Sequence, residues 1–150
     1  MSKQIKVIFH GFGRIGRSIF RQICTDKKFV IIGINEINPD PKNISYTYNF
    51  DSIVRSNLKK YGQIKFENKK FKLKNKSFNY YNFSRVEELK KIPHKYDVII
   101  DSTGTSNNGS LWKKLIKLKK NIKIIFTFHH PVSEYLMVIG ANEKKYNKKF

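Results

Sequence analysis

The sequence predicts an α/β domain with a doubly wound, mostly parallel sheet and a short antiparallel insertion around residues 63–81. Three features point there. The short β-branched runs "KVIF" and "FVIIGIN" flank a helical stripe, and a crossover of that length joins parallel strands. A later run, "YDVIIDSTG", is again a continuously apolar strand that ends in a glycine turn. Between these, residues 63–81 switch to a two-residue period.

Taken in order, residues 5–9 and 29–35 read as strands buried on both faces. Ile15, Ile19 and Ile23, with Phe20 and Cys24, form one helical stripe between them. "EINPDPKN" carries two prolines and reads as a loop, followed by a short helix within "ISYTYNFDSI" that runs into another loop. Ile64/Phe66, Phe71/Leu73 and Phe78/Tyr80 alternate with polar residues around the turns "ENKK" and "KNKS". Ser84 with Glu87 three residues later reads as a capping box for a helix that Pro93 closes. Leu111, Leu115 and Leu118 form the apolar face of the next helix, with Lys113, Lys114, Lys117 and Lys120 on the others. "IKIIFTF" and "YLMVIGAN" are the remaining strand candidates, and residues 143–150 are a charged tail. At 150 residues and 17.8 kDa, one domain over 1–150 is expected.

Gly11, Gly13 and Gly16 follow the first strand and open the first helix in the spacing G-x-G-x-x-G. The first permits the tight turn, the second lets a pyrophosphate approach the backbone, and the third allows close packing of helix on sheet. Free N–H groups and the positive helix end then favour phosphates. The second strand ends in Asn35-Glu36, where a ribose-binding acid is expected, and such an acid repels a 2′-phosphate. The ligand read from this arrangement is NAD on a Rossmann-type domain; a structural turn, and a solvated Glu36 that only caps its loop, are the alternatives.

With these residues in place, "KVIFHGFGRIGRSIF", "VIIGINE", "YNFDS", "DVIIDSTG" and "IKIIFTFHHP...VIGAN" together resemble the NAD-binding half of glyceraldehyde-3-phosphate dehydrogenases over nearly the whole chain. The Glu of "INE" and the His-Pro after the fifth strand resemble the erythrose-4-phosphate dehydrogenase branch. The resemblance implies that Gly11, Phe12, Gly13, Arg14, Ile15 and Gly16 lie under the pyrophosphate and nicotinamide ribose. It implies that Asn35, Glu36 and Arg85 meet the adenosine end, that Ser102, Thr103 and Gly104 face the adenosine, and that Thr127 stands near the nicotinamide. His10 departs from the pattern, which has Asn there.

The family's chemistry needs a cysteine thiolate, a histidine base and hydride transfer to NAD. Within these 150 residues there is one cysteine, Cys24, on the apolar stripe of the first helix, where it reads as packing. The "SNASCTTN"-like segment of the family is absent, so no catalytic residue is assigned and the chain alone is expected not to catalyse. The implied partners are NAD and either a separate catalytic polypeptide or a homo-oligomer; a nonfunctional remnant is the remaining reading. His129 and His130 are adjacent at a strand end, so they face opposite ways and no metal is expected.

Lys and Arg number 31 against 11 Asp and Glu, a formal charge of +20. That balance suits a polyanion such as RNA, bound by a basic module of the same scaffold. The excess is mostly Lys, Asn and Ile are abundant, and Ala141 is the only alanine, so A+T-rich codon usage accounts for it and nucleic acid is the second choice. No apolar run approaches the ~20 residues of a membrane span, and the expected location is cytoplasmic.

Overall fold

The computed structural model describes residues 3–52, 58–119 and 121–146. Its strands are β1 (Ile5–His10), β2 (Phe29–Asn35), β3 (Ile64–Glu67), β4 (Lys70–Leu73), β5 (Lys76–Tyr81), β6 (Val98–Asp101) and β7 (Lys123–Phe126). Its helices are α1 (Arg14–Ile23), α2 (Pro41–Asn49), α3 (Leu58–Tyr61) and α4 (Gly109–Leu118), with 3-10 turns at Val86–Lys91 and Glu143–Lys145.

The sheet runs β3-β4-β5-β2-β1-β6-β7. β5-β2-β1-β6-β7 is parallel, and β3 and β4 are antiparallel hairpin strands that precede β5. The insertion expected at 63–81 is therefore an extension of the same sheet. Its turns are where the polar tetrapeptides stand: Asn68, Lys69 and Lys74 have φ of 53°, 60° and 54°, left-handed values that tight hairpins demand.

Strand alternation sorts the core into two layers. Val7 and Phe9 of β1 face α1 and α2, in a cluster with Phe20, Tyr48, Phe71 and Phe78. Ile8 faces the opposite side and packs with Leu89, Trp112 and Leu115 of the Val86–Lys91 turn and α4. His10 shares Ile8's face, which brings its ring 5.7 Å from that of Trp112.

Several local expectations shift. In α1 the buried side is Gly16, Phe20 and Arg21, while Ile15 is 54% exposed. The arginine is buried because its guanidinium lies over the Tyr48 ring at 4.4 Å and donates to Tyr48 O at 2.6 Å. The helix expected after the proline loop starts earlier: Pro41 is its first residue and Asp40 caps it, accepting from Lys42 N at 2.8 Å. Residues 53–57 of the loop expected after it lie outside the described residues. The cap predicted at Ser84 and Glu87 sits one residue later, where Glu88 accepts from Arg85 N at 3.4 Å.

In α4 the buried pair is Trp112 and Leu115, with Leu118 59% exposed. Lys120 lies outside the described residues, as do 147–150 of the tail. "YLMVIGAN" forms no strand. Asn142 draws the segment into a turn instead: its Oδ1 accepts from Val138 N at 2.7 Å, its Nδ2 donates to Leu136 O at 2.9 Å, and its backbone carbonyl accepts from Tyr135 Oη at 2.6 Å. A short amide side chain that satisfies neighbouring backbone groups competes with strand pairing.

Candidate cofactor-binding cleft

β1 lies between β2 and β6: the chain builds outward from β1 through β2 to β5 on one side, then crosses back to β6 on the other. At such a switch point the loops beyond the C-terminal strand ends part and leave a crevice. Here it is a cleft of about 410 Å³ bounded by the glycine loop, the ends of β2 and β6, and the residues after β5.

The three glycines do different things. Gly11 has φ +84°, and a Cβ there would stand 2.8 Å from Thr103 N, so both its dihedral and its neighbour demand glycine. At Gly16 a Cβ would meet Ser102 Oγ at 2.5 Å and Gly11 O at 2.7 Å, because α1 leans on the end of β6. Gly13 caps α1 without a side-chain bond, and a Cβ there would meet nothing within 4 Å. The first helical hydrogen bond of α1 is Arg17 N to Gly13 O at 2.9 Å. The amides of Arg14, Ile15 and Gly16 therefore precede the ladder, at the positive end of the helix.

The loop is held from several sides. Ser102 Oγ donates to Gly11 O at 2.7 Å and Gly11 N to Asn35 O at 2.9 Å. Arg17 donates to Phe12 O at 3.0 Å and pairs with Asp51 at 3.0 Å. Glu36, at the end of β2, accepts from Phe12 N at 2.6 Å and Asn38 N at 3.3 Å, so its carboxylate stands beside the glycine turn. Across the cleft, Asp101 is fully buried and its Oδ1 accepts from Thr103 N and Oγ1 at 2.9 and 2.8 Å, ordering the turn.

Of the predicted site residues, Gly11, Gly13, Asn35, Glu36, Arg85, Ser102 and Thr103 line the cleft. Phe12 contributes its backbone only: its ring is core, 5.2 Å from that of Phe20. Arg14 and Ile15 are exposed on the first turn of α1, and Gly16 is a packing contact beneath the loop. Gly104 has φ +76° in the turn after β6. Thr127 hydrogen-bonds Asp101 O through its N–H at 3.0 Å, beside the cleft but outside its lining. Asn35 spends its side chain on protein groups, His10 and Phe83.

Sequence reasoning missed Phe83, Ser84 and Val86, which form one wall, and Thr105, Asn108 and Leu111 opposite. Their signal was positional: they follow β5 and β6, strands whose C-terminal ends open on the same crevice. His10 also lines the cleft, and burial lowers its pKa against the pull of Asp101 and Glu36. Cys24 is 3% exposed, and burial pushes its thiol up. His130 is buried and stacked on Phe126 at 4.1 Å while His129 is exposed. Among the described residues no group of three His, Cys, Asp or Glu side chains could hold a metal, and no helix is long and apolar enough to cross a membrane.

The residues fit a dinucleotide. A helix N-terminus with uncommitted amides faces open space at Gly13, and a carboxylate stands at the end of the next strand. Comparison with known proteins agrees. The family described as glyceraldehyde 3-phosphate dehydrogenase, NAD binding domain, matches residues 5–109. Glyceraldehyde-3-phosphate dehydrogenase of Buchnera aphidicola is 31% identical over 95% of this chain and 41% of its own length. The Wickerhamomyces ciferrii enzyme is 28% identical over the same shares, and the testis-specific enzyme of Rattus norvegicus is 25% identical over 97% of this chain and 32% of its own. The chain thus spans less than half the length of these relatives. It belongs to the glyceraldehyde-3-phosphate dehydrogenase family, and the matched region is that family's NAD-binding domain.

Proposed function

We propose that the cleft holds NAD through the glycine loop and Glu36. The observation that carries this is the open space at Gly13, the one glycine of the three whose missing side chain serves no protein neighbour. In this reading the amides at the start of α1 bind the pyrophosphate and Glu36 accepts from the adenosine ribose hydroxyls. Arg85, exposed and paired with Glu87 at 3.1 Å, stands with Phe83 and Ser84 on the adenosine wall. Ser102, Thr103 and Gly104 form the opposite turn, and Thr127 lies toward the nicotinamide.

Bound NAD supplies a hydride acceptor; the residues here bind and orient it. Cys24 supplies no nucleophile, since a buried thiol with a raised pKa is neither ionised nor reachable. Oxidation of a phosphorylated aldehyde therefore calls for a catalytic half of the kind the longer relatives have room for, in the same polypeptide or another. Calorimetric titration of this chain with NAD and NADP tests the cofactor reading. Heat with NAD, and much less with NADP, is expected; no heat at millimolar NAD would overturn it.

A further inference from the structure

We propose that His10 is a positioning residue of the cofactor cleft, accepting a hydrogen bond from the Asn35 amide that grips the Phe83 wall, so that adenosine binds more tightly while His10 is unprotonated. The inference rests on the NAD reading above.

Asn35 is 1% exposed at the end of β2. Its Oδ1 accepts from Phe83 N at 2.8 Å, and its Nδ2 donates to Phe83 O at 3.1 Å. The backbone N–H can only donate and the carbonyl only accept, so Phe83 fixes which way the amide faces. The second Nδ2 proton then points to His10 Nδ1 at 2.9 Å, and that nitrogen must be bare. The ring is thereby held neutral, with its proton on Nε2. An imidazolium would set N–H against N–H and release Asn35.

The surroundings act in the same sense. His10 is 7% exposed, and burial disfavours its charged form more than Asp101 of β6 and Glu36, the residue after β2, favour it. From α4 the neighbour is the uncharged Trp112, and the cation lining the same cleft is Arg85 on the wall itself. Ser84, Arg85 and Val86 follow directly on the gripped Phe83, so the position of this wall depends on the Asn35 bond. Asparagine, the residue of the resembled pattern at position 10, could accept the same bond at any pH; histidine makes the grip depend on protons.

The test measures hydrogen exchange at the Phe83 amide and adenosine affinity by NMR titration from about pH 7.5 to about pH 4.5, through and below the ordinary histidine pKa, because burial lowers that of His10. Adenosine is uncharged, so attraction between an imidazolium and phosphates does not intrude. In the unaltered chain, Phe83 protection and adenosine affinity should both fall about tenfold on acidification, the effect of one buried hydrogen bond. His10→Asn should hold both flat, and His10→Phe should be weak in both at either pH. Phe83 protection that ignores pH, or the same profile in His10→Asn, overturns the proposal, as does protection that falls while adenosine affinity stays constant. Protection that follows His10 with no adenosine binding at any pH overturns the NAD reading instead, and with it the positioning role, leaving only the His10–Phe83 linkage.

Discussion

The Cα of Gly16 and the hydroxyl of Ser102 are so close that a methyl group on the glycine would stand 2.5 Å from Ser102 Oγ. The same methyl would stand 2.7 Å from Gly11 O, a backbone atom that cannot swing aside. Gly16→Ala should therefore destabilise the domain by about 2 kcal/mol, in spite of alanine's better helix propensity. Adding Ser102→Ala should restore only part of this, since the clash with Gly11 O remains. Urea unfolding of the single and double variants checks it; full recovery in the double variant would mean that the backbone contact is unimportant.

Gly13→Ala should behave in the opposite way. Gly13 has φ −68°, which alanine adopts freely, and its Cβ would meet no protein atom within 4 Å. Loss of a glycine cap costs at most about 1 kcal/mol. NAD affinity should nevertheless fall at least about tenfold, because the added methyl occupies the space that a pyrophosphate needs. Unchanged affinity by calorimetry would move the phosphate site away from Gly13.

Glu36→Gln keeps an acceptor for Phe12 N, 2.6 Å away, and removes the negative charge. NAD should bind about tenfold more weakly as a charge-assisted bond to the ribose becomes a neutral one. NADP should lose less or gain, since the repulsion of its 2′-phosphate is gone. A preference for NAD over NADP that is unchanged in competition titrations would remove Glu36 from the ribose.

Much of this arrangement was legible in the sequence because it depends on local pattern. The glycine spacing, the acid at the end of the second strand and the period-two insertion are short-range signals, and each stands where it was expected. What was not legible depends on where elements end in space. Leu118 continues the leucine spacing of α4 yet is exposed, and Trp112 takes the buried place. "YLMVIGAN" has strand composition, but Asn142 satisfies its backbone locally. The grip of Asn35 on Phe83 joins residues 48 positions apart through pairing of β2 with β5, which no local motif encodes.

Tyr96 gives the fold a measurable alkaline limit. Its hydroxyl donates to Leu89 O at 3.0 Å beneath the Val86–Lys91 turn, and burial, aided by Tyr81, pushes its pKa to about 12. An unfolded tyrosine ionises near 10. Between these values the folded chain keeps a proton that the unfolded chain has released, so stability is complete below about pH 10 and declines as pH rises toward 12. Tyr96→Phe should cost about 1 kcal/mol at neutral pH through the lost bond to Leu89, and should make stability fall less steeply above pH ~10. Part of the slope should persist, since burial also raises Tyr48, Tyr80 and Tyr81. Urea unfolding at about pH 8 and at two values above pH ~10 separates the two effects. If the slope is the same with and without the Tyr96 hydroxyl, that group ionises as readily in the fold as in the open chain, and the bond to Leu89 does not hold its proton.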